Sequence, residues 1–452
     1  MNHVQKPNNS IIPKFLFKTV HSIMYPNFFD LYEKLKENKT RNELLEYQNE
    51  KLREIVAYSY NEIKYYRNTF DVLNLRPEDI KQTADLYKLP IINKEEVSKH
   101  WEDFKPKNLS KLNYNTRTTG GTTGTPFVYR MSKDDRYLSL ALLYRGWCMG
   151  GYQVSDPMVF IGAASIDVGT ATKYTKIAHE IFRNIRKLSS FEMSNEKLLA
   201  FTKIMQTFKP KFIRGYPTSI NYFSQWLKEN NIKFDGIQAI FTTSEMLYPP
   251  IREEIEGNMG TKVFDGYGLN DGGLSCYECK EHIGMHIDTE RSFMETVDDY
   301  GNPVVETGGK IIATTLINKA MPFIRYDTGD VGTRTETECR CGNKHPMLKS
   351  LLGRSVDMLV TPEGTKVHGW FFLLTFWKYY KGIKQYQVIQ ETPEKITIKI
   401  VRGNDFDPTI LNNITKTMHN ISPKWVANFV YVNNIELTEG SKTKFIIALK
   451  NK

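Results

Sequence analysis

Thr118-Thr119-Gly120-Gly121-Thr122-Thr123-Gly124-Thr125-Pro126 is the stretch that decides how the chain is read. Three glycines let the backbone turn tightly and come close to a ligand, and five hydroxyls point into the loop. That is the chemistry of a phosphate grip. A Walker loop would carry lysine directly after its last glycine, but Thr125 follows Gly124, which excludes a P-loop NTPase of the usual kind. The competing reading is a flexible Ser/Thr/Gly linker. The residues on either side decide between them.

Upstream, residues 41–70 place Leu44, Leu45, Leu52, Ile55 and Val56 at helical spacing, which predicts one or two amphipathic helices. The stretch 74–90 is turn-rich, and 94–100 predicts a further helix, so residues 1–110 form a helical lead-in. Downstream, 127–130 reads as a strand, which makes the glycines a connection between two strands. A helix is expected over 132–146, with buried strands at 157–162, 211–217 and 238–244. Helical stretches lie around 172–187, 194–208 and 218–230. Strands alternating with helices predict a wound, parallel α/β sheet. Ligands in such sheets bind at the carboxyl ends of the strands, where Gly215, Tyr216, Thr242, Thr243, Ser244 and Glu245 fall. Residues 161–166, 216–220 and 242–245 are the expected pocket walls.

Residues 263–271 then read Val-Phe-Asp-Gly-Tyr-Gly-Leu-Asn-Asp, a strand opening into a glycine-hinged loop with an aromatic ring and a carboxylate. Tyrosine can stack on a flat base, and a carboxylate can hold Mg²⁺ beside a triphosphate. In Ile324-Arg325-Tyr326-Asp327-Thr328-Gly329-Asp330, Asp330 can accept from both hydroxyls of a ribose. Past Gly353-Arg354-Ser355-Val356-Asp357 the pattern becomes a small α+β unit, which sets a domain boundary at 357/358.

With 452 residues the chain is past the size at which one core stops growing. Its net charge of +10 raises nucleic acid or an acidic membrane as partners, yet no arginine-rich run or recognition helix is present. The charge reads as solvated lysine surface that also attracts anionic ligands, so no nucleic acid is expected. Residues 11–32 are the nearest approach to a membrane segment, but Pro13, Lys14, Lys18, Pro26 and Asp30 interrupt them. They are expected to pack on the protein body, with peripheral membrane contact as the alternative, and the expected compartment is the cytoplasm. Five cysteines do not make a disulfide scaffold. The sequence does not set the oligomeric state.

Five motifs stand in one order: the phosphate loop, Tyr267 to Asp271, Arg325 to Asp330, Gly353-Arg354 with Asp357, and Gly440-Ser441-Lys442-Thr443-Lys444. Over nearly its whole length the chain resembles the adenylate-forming superfamily of acyl-CoA ligases and adenylation domains. Within it, the chain is similar to the phenylacetate-CoA ligase and CapK-like capsular polysaccharide branch. The resemblance implies a large N-terminal domain with wound mixed sheets, a small mobile α+β C-terminal domain, and ATP, Mg²⁺ and a carboxylate between them. It implies that Thr118, Thr119, Gly120, Gly121, Thr122, Thr123 and Gly124 hold the β- and γ-phosphates. Gly266, Tyr267 and Gly268 would lie against the adenine, with Ser244 and Glu245 beside them. Asp271 would take the Mg²⁺ role, Asp330 the ribose, and Arg354 the ribose and phosphate. Lys442 would reach the α-phosphate and the attacking carboxylate, with Lys444 as the alternative.

The chain departs from the family pattern in three places. Asp271 stands where glutamate is usual, and Val356 where the hinge is commonly acidic. Residues 359–369 lack the Arg-Gly-x-Asn pattern of phenylacetate-CoA ligases and look CapK-like. The acceptor therefore stays open: CoA, another thiol, an amine or a hydroxyl. The competing classes are a catalytically silent relative that binds nucleotide or acyl group, and a zinc-containing nucleic-acid binder.

Cys276, Cys279 and His282 in one stretch face Cys339 and Cys341 in another, with His286 and His345 nearby. The spacing suits structural Zn²⁺ in a reduced compartment. The expected ligands are Cys279, His282, Cys339 and Cys341, with Cys276 as the alternative to His282. Separate buried thiols are the competing reading, and Cys148 is expected as a small core residue.

Overall fold

The computed structural model describes residues 14–119, 127–162, 183–189, 193–354, 358–368, 382–403, 405–435 and 446–449, together with 180, 372, 375, 376 and 379. The lead-in is helical, as its apolar spacing predicts: α1 (Lys14–Met24), α2 (Phe28–Leu35), α3 (Arg41–Glu62), α4 (Lys64–Val72) and α5 (Lys94–Lys99). Thr40 starts α3 with a reciprocal cap, its hydroxyl accepting from the Glu43 amide while Glu43 accepts from the Thr40 amide. The buried face of α3 carries Leu44, Gln48, Leu52, Ile55, Val56 and Ser59.

β1 (Tyr114–Thr118) and β2 (Val128–Ser132) pair antiparallel, from Tyr114 opposite Ser132 to Thr118 opposite Val128. The Gly/Thr stretch thus joins two strands, as expected. α6 (Lys133–Cys148) follows directly, its start capped by the Ser132 hydroxyl.

The parallel sheet consists of β3 (Met158–Gly162), β4 (Ile185–Ser189), β5 (Phe212–Gly215), β6 (Ala239–Thr242) and β7 (Val263–Phe264), in the order β4-β3-β5-β6-β7. The expectation of helix over 172–187 is corrected at its end, where Ile185 begins β4. Pairing of Met158 to Gly162 with Ile185 to Ser189 overrides the local pattern. One face packs Phe160, Phe212 and Phe241 against Leu138, Ala141 and Trp147 of α6. The other carries α7 (Asn195–Phe208), α8 (Pro217–Glu229) and α9 (Pro249–Met259) on Val159, Ile161, Ile213 and Ile240. β5 lies so close to β3 that a Cβ at Gly215 would sit 2.0 Å from the Ile161 carbonyl oxygen.

An antiparallel sheet then forms from β8 (Gly266–Leu269), β9 (Leu274–Glu278), β10 (Met285–Ile287), β11 (Ser292–Val297), β12 (Gly308–Thr315), β13 (Tyr326–Thr335) and β14 (Met347–Arg354). Its order is β11-β12-β13-β14-β10-β9-β8. Past the boundary expected from sequence come the hairpin β15 (Met358–Val360) and β16 (Lys366–His368). A four-stranded sheet follows, built from β17 (Ile383–Gln390), β18 (Lys395–Arg402), β19 (Val426–Tyr431) and β20 (Ile446–Ile447), together with α10 (Thr409–Ile421). It has its own core around Val388, Ile396, Ile398, Ile414 and Trp425. The architecture is α/β with a large N-terminal part and a smaller α+β C-terminal one. Among the described residues, no helix is long and apolar enough to cross a membrane.

α6 is tied to the antiparallel sheet by buried ions. Asp135 accepts two bonds from Arg291, each 2.8 Å long. Nearly three turns later, Arg145 donates to both carboxylate oxygens of Glu290, at 2.6 and 2.9 Å, and also to Asp288. Burial alone would raise both acids. The Arg145 charge instead holds Glu290 down to about 2, whereas Asp288, deeper in the cluster and beside Glu290, is pushed up to about 6. Arg145→Met removes the cation and leaves two buried carboxylates. It should lower folding stability by about 3–5 kcal/mol in a denaturant titration, and adding Asp288→Asn and Glu290→Gln should restore much of the loss.

Candidate active site

Three sequence-predicted residues meet where β8 and its following turn face β13. The Tyr267 hydroxyl donates to Asp330 Oδ2 at 2.8 Å, joining the aromatic expected at the base to the carboxylate expected at the ribose. Burial, and then the Asp330 charge, push the Tyr267 phenol well above its ordinary value, so it remains a donor. Asp330 is poised by a tight local turn: Gly329 has a φ of 78°, its amide donates to Asp327, and the Asp330 amide donates to the Thr328 hydroxyl. Arg354 is the residue opposite Asp330 in the β13–β14 register.

Asp271 is buried, 1% exposed. Its Oδ2 accepts from the Tyr326 hydroxyl at 2.8 Å and lies 3.5 Å from the Lys94 ammonium. Its Oδ1 has no hydrogen-bond partner among the described residues. A buried carboxylate oxygen left open in this way suits a hard divalent cation. The sequence reading missed Lys94 and the role of Tyr326. Lys94 also lies 5.8 Å from the ring centroid of Phe127, the first described residue after the Gly/Thr stretch. No local motif announces it; only the approach of α5 to the β8–β9 turn does.

Other predicted positions are distributed as follows. Thr118 ends β1, and the Thr119 amide donates to the Phe127 carbonyl at 2.9 Å. Gly120 to Gly124 and Lys442, with its alternative Lys444, lie outside the described residues. Ser244 follows β6 with a left-handed φ of 67°. Glu245 accepts from the amide and hydroxyl of Thr218, at 3.2 and 2.6 Å, and so caps the start of α8. Gly266 and Gly268 lie in β8, and a Cβ at Gly266 would come within 3.2 Å of the Tyr277 ring.

The cysteine stretches do converge, with one correction. The ligand atoms of Cys279, Cys339, Cys341 and His286 all lie within 4.8 Å of one another. Cys279 and Cys339 sulfurs are 3.6 Å apart, and Cys341 Sγ is 3.3 Å from His286 Nε2. His282, expected as the fourth ligand, is elsewhere. It sits in the turn after β9 with a φ of 51°, its Nδ1 3.2 Å from Glu278 and its ring 4.8 Å from that of Phe264. Cys276, the alternative, is buried in the core of the antiparallel sheet. His286 takes the position because β10 pairs with β14, placing it opposite Met347 and beside the loop that bears Cys341. A tetrahedron with Zn–S bonds of about 2.3 Å has edges of about 3.8 Å, close to the sulfur spacing seen. His286 Nδ1 lies 3.4 Å from the His345 carbonyl, a partner that leaves Nε2 for a metal.

The chain is similar to known proteins in sequence and in fold. Residues 359–449 match the family model described as the CapK C-terminal domain. Protein CapK of Staphylococcus aureus is 26% identical over 92% of this chain and 92% of its own length. The phenylacetate-coenzyme A ligase of Thermus thermophilus is 25% identical over 73% of this chain and 74% of its own. Among solved structures, 2-hydroxyisobutyryl-CoA ligase in the postadenylation state superposes with a TM-score of 0.70, covering 100% of this chain and 96% of that one at 16% identity. In sequence the chain is thus similar to phenylacetate-CoA ligases and to CapK, and its fold is that of an adenylate-forming CoA ligase.

Proposed function

We propose that the chain activates a carboxylic acid with ATP, forming an acyl-adenylate and pyrophosphate, and then passes the acyl group to an acceptor. The observation that carries this reading is the Tyr267–Asp330 hydrogen bond beside a buried Asp271 with one open oxygen. In the first step a carboxylate oxygen of the acid attacks the α-phosphorus, the bond to the bridging β-oxygen breaks, and pyrophosphate leaves with the electron pair. In the second, the acceptor attacks the acyl carbonyl and AMP leaves. CoA is the acceptor the relatives' names favour; another thiol, an amine or a hydroxyl in capsular or surface polysaccharide assembly is the alternative.

Asp330, oriented by Tyr267, would receive the ribose hydroxyls, and Arg354 would stand near the ribose and α-phosphate. Thr118 to Gly124 would hold the β- and γ-phosphates. Mg²⁺, held through Asp271, would offset the negative charge of the triphosphate. Lys442, carried by the small C-terminal domain over residues 358–452, would meet the developing charge at the α-phosphate and withdraw for the second half-reaction. Zn²⁺ on Cys279, His286, Cys339 and Cys341 would be structural, tying the turn after β9 to the loop before β14.

The direct test is pyrophosphate release from ATP and Mg²⁺ with a panel of aryl, fatty, amino and sugar acids, run with hydroxylamine and then with CoA. Release with at least one acid is expected; silence across the panel while ATP still binds would favour a non-catalytic relative. Lys442→Ala should slow acyl-adenylate formation about 100-fold or more with ATP affinity hardly changed, and normal adenylation by it would remove the assignment. Tyr267→Phe should raise the KM for ATP by roughly 10–100-fold, the worth of one charge-assisted hydrogen bond, while leaving the KM for the acid in place. Elemental analysis should find one zinc per chain. His286→Ala and Cys339→Ser should lose it, His282→Ala should keep it, and chelation should lower the Tm.

A further inference from the structure

α1 is apolar on two sides, and the fold uses only one of them. Phe17 and His21 are buried on the inner side, where Phe17 shares a core with Phe28 of α2 and Leu138 of α6. On the other side Leu16, Thr19, Val20 and Ile23 recur at i, i+3, i+4 and i+7, with Phe15 beside them, so they form a second stripe. Thr19 turns its hydroxyl back to the Phe15 carbonyl at 3.1 Å and interrupts the stripe little. Phe15 is 76% exposed and Ile23 75%, with Leu16 and Met24 open as well. Apolar side chains scattered singly over a surface need no account, but a row of them on one short helix does.

The charges around the stripe narrow its partner. Residues 1–29 carry Lys6, Lys14 and Lys18 and no acidic residue. Lys18 follows Phe15 by one turn, its ammonium 5.7 Å from the ring centroid of Phe29. At the end of α1, the Tyr137 hydroxyl of α6 donates to the Met24 carbonyl at 3.4 Å, and Lys133 and Arg136 stand 5.2 and 5.5 Å from the Tyr137 ring. Glu33 is taken up by Lys36, and Asp135 by Arg291. On α1, α2 and the start of α6 that leaves Asp30 and Asp134 against Lys18, Lys34, Lys133 and Arg136. The surroundings are therefore cationic. A second copy of the chain would set two such surfaces against each other, and residues 1–13 bring no counter-charge.

We propose that α1 docks the protein on an anionic membrane surface. It lies in the plane of the bilayer, with Phe15, Leu16 and Ile23 among the acyl chains and Lys18, Lys133 and Arg136 at the headgroup phosphates. At 11 residues the helix is about 16 Å long, too short to cross a hydrocarbon core of about 30 Å. A helix of this kind binds through apolar burial plus attraction to anionic lipid. Lysine, arginine and tyrosine suit the boundary because each has an apolar body and a polar end. The docking is independent of the adenylation reading.

The experiment is flotation of the full chain with vesicles of phosphatidylcholine alone, and of phosphatidylcholine mixed with phosphatidylglycerol. The anionic vesicles should retain the protein far better than the neutral ones, and retention should fall as salt is raised. Phe15→Ser combined with Ile23→Ser should weaken binding by about 10- to 100-fold, and Lys18→Gln by about 5-fold. Both variants should keep the wild-type Tm, since the side chains changed are exposed. No retention by anionic vesicles overturns the proposal, as does equal retention by both kinds or undiminished binding by the double variant. Self-association that the double variant loses, without vesicle binding, assigns the stripe to a second copy and overturns it too. The comparison of vesicles with the wild type decides the matter even where a variant fails to fold.

Discussion

Everything in the N-terminal part depends on α6 being held in register by ions it cannot share with water. Asp135 near its start and Arg145 near its end both pair with the short run from Asp288 to Arg291. These contacts fix the helix axis against the antiparallel sheet at two points nearly three turns apart. The apolar contacts of the same helix with Phe160, Phe212 and Phe241 fix it against the parallel sheet. One helix thus sets the spacing between two sheets of different kinds. The Tyr267–Asp330 and Asp271–Tyr326 contacts lie within the antiparallel sheet, and the carboxyl edge of the parallel sheet is held opposite them.

Tyr267 and Asp330 belong to short stretches that stand out in the sequence, and the fold brings the two side chains into contact. Gly329 supplies the left-handed turn before Asp330. The division into a larger and a smaller part was equally legible, since the strand-and-helix rhythm changes beside residue 357. What remained hidden was set by pairing between distant strands. Local spacing pointed to His282 as a metal ligand, yet a β10–β14 pairing brings in His286 and leaves His282 in a turn facing Glu278. The start of β4 reads as helix until β3 supplies its partner.

Lys94 and Arg214 illustrate two further limits. Lys94 belongs to an ordinary amphipathic segment, and its proximity to Asp271 follows only from the way the lead-in docks. Arg214 sits in a recognisable strand, but its surroundings come from α6, β3 and β6 together. Sequence shows that a cation is present there. Only the fold shows that it stands among aromatic rings.

The docking of the lead-in has a consequence for the order in which the protein can be made. Tyr66 receives the Ile324 amide, and Arg325 donates to the Leu89 carbonyl. Ile92 bridges Tyr326 and Gln48 reaches Thr289 and Ser292. The core that buries Leu52, Phe70 and Phe104 is completed by Met321, Phe323 and Tyr326. Tyr66 leaves the ribosome 258 residues ahead of Ile324, which at about 5–20 residues per second is a wait of roughly 13–50 s. Through that interval the nascent helices carry an apolar face whose covering residues have not yet been made.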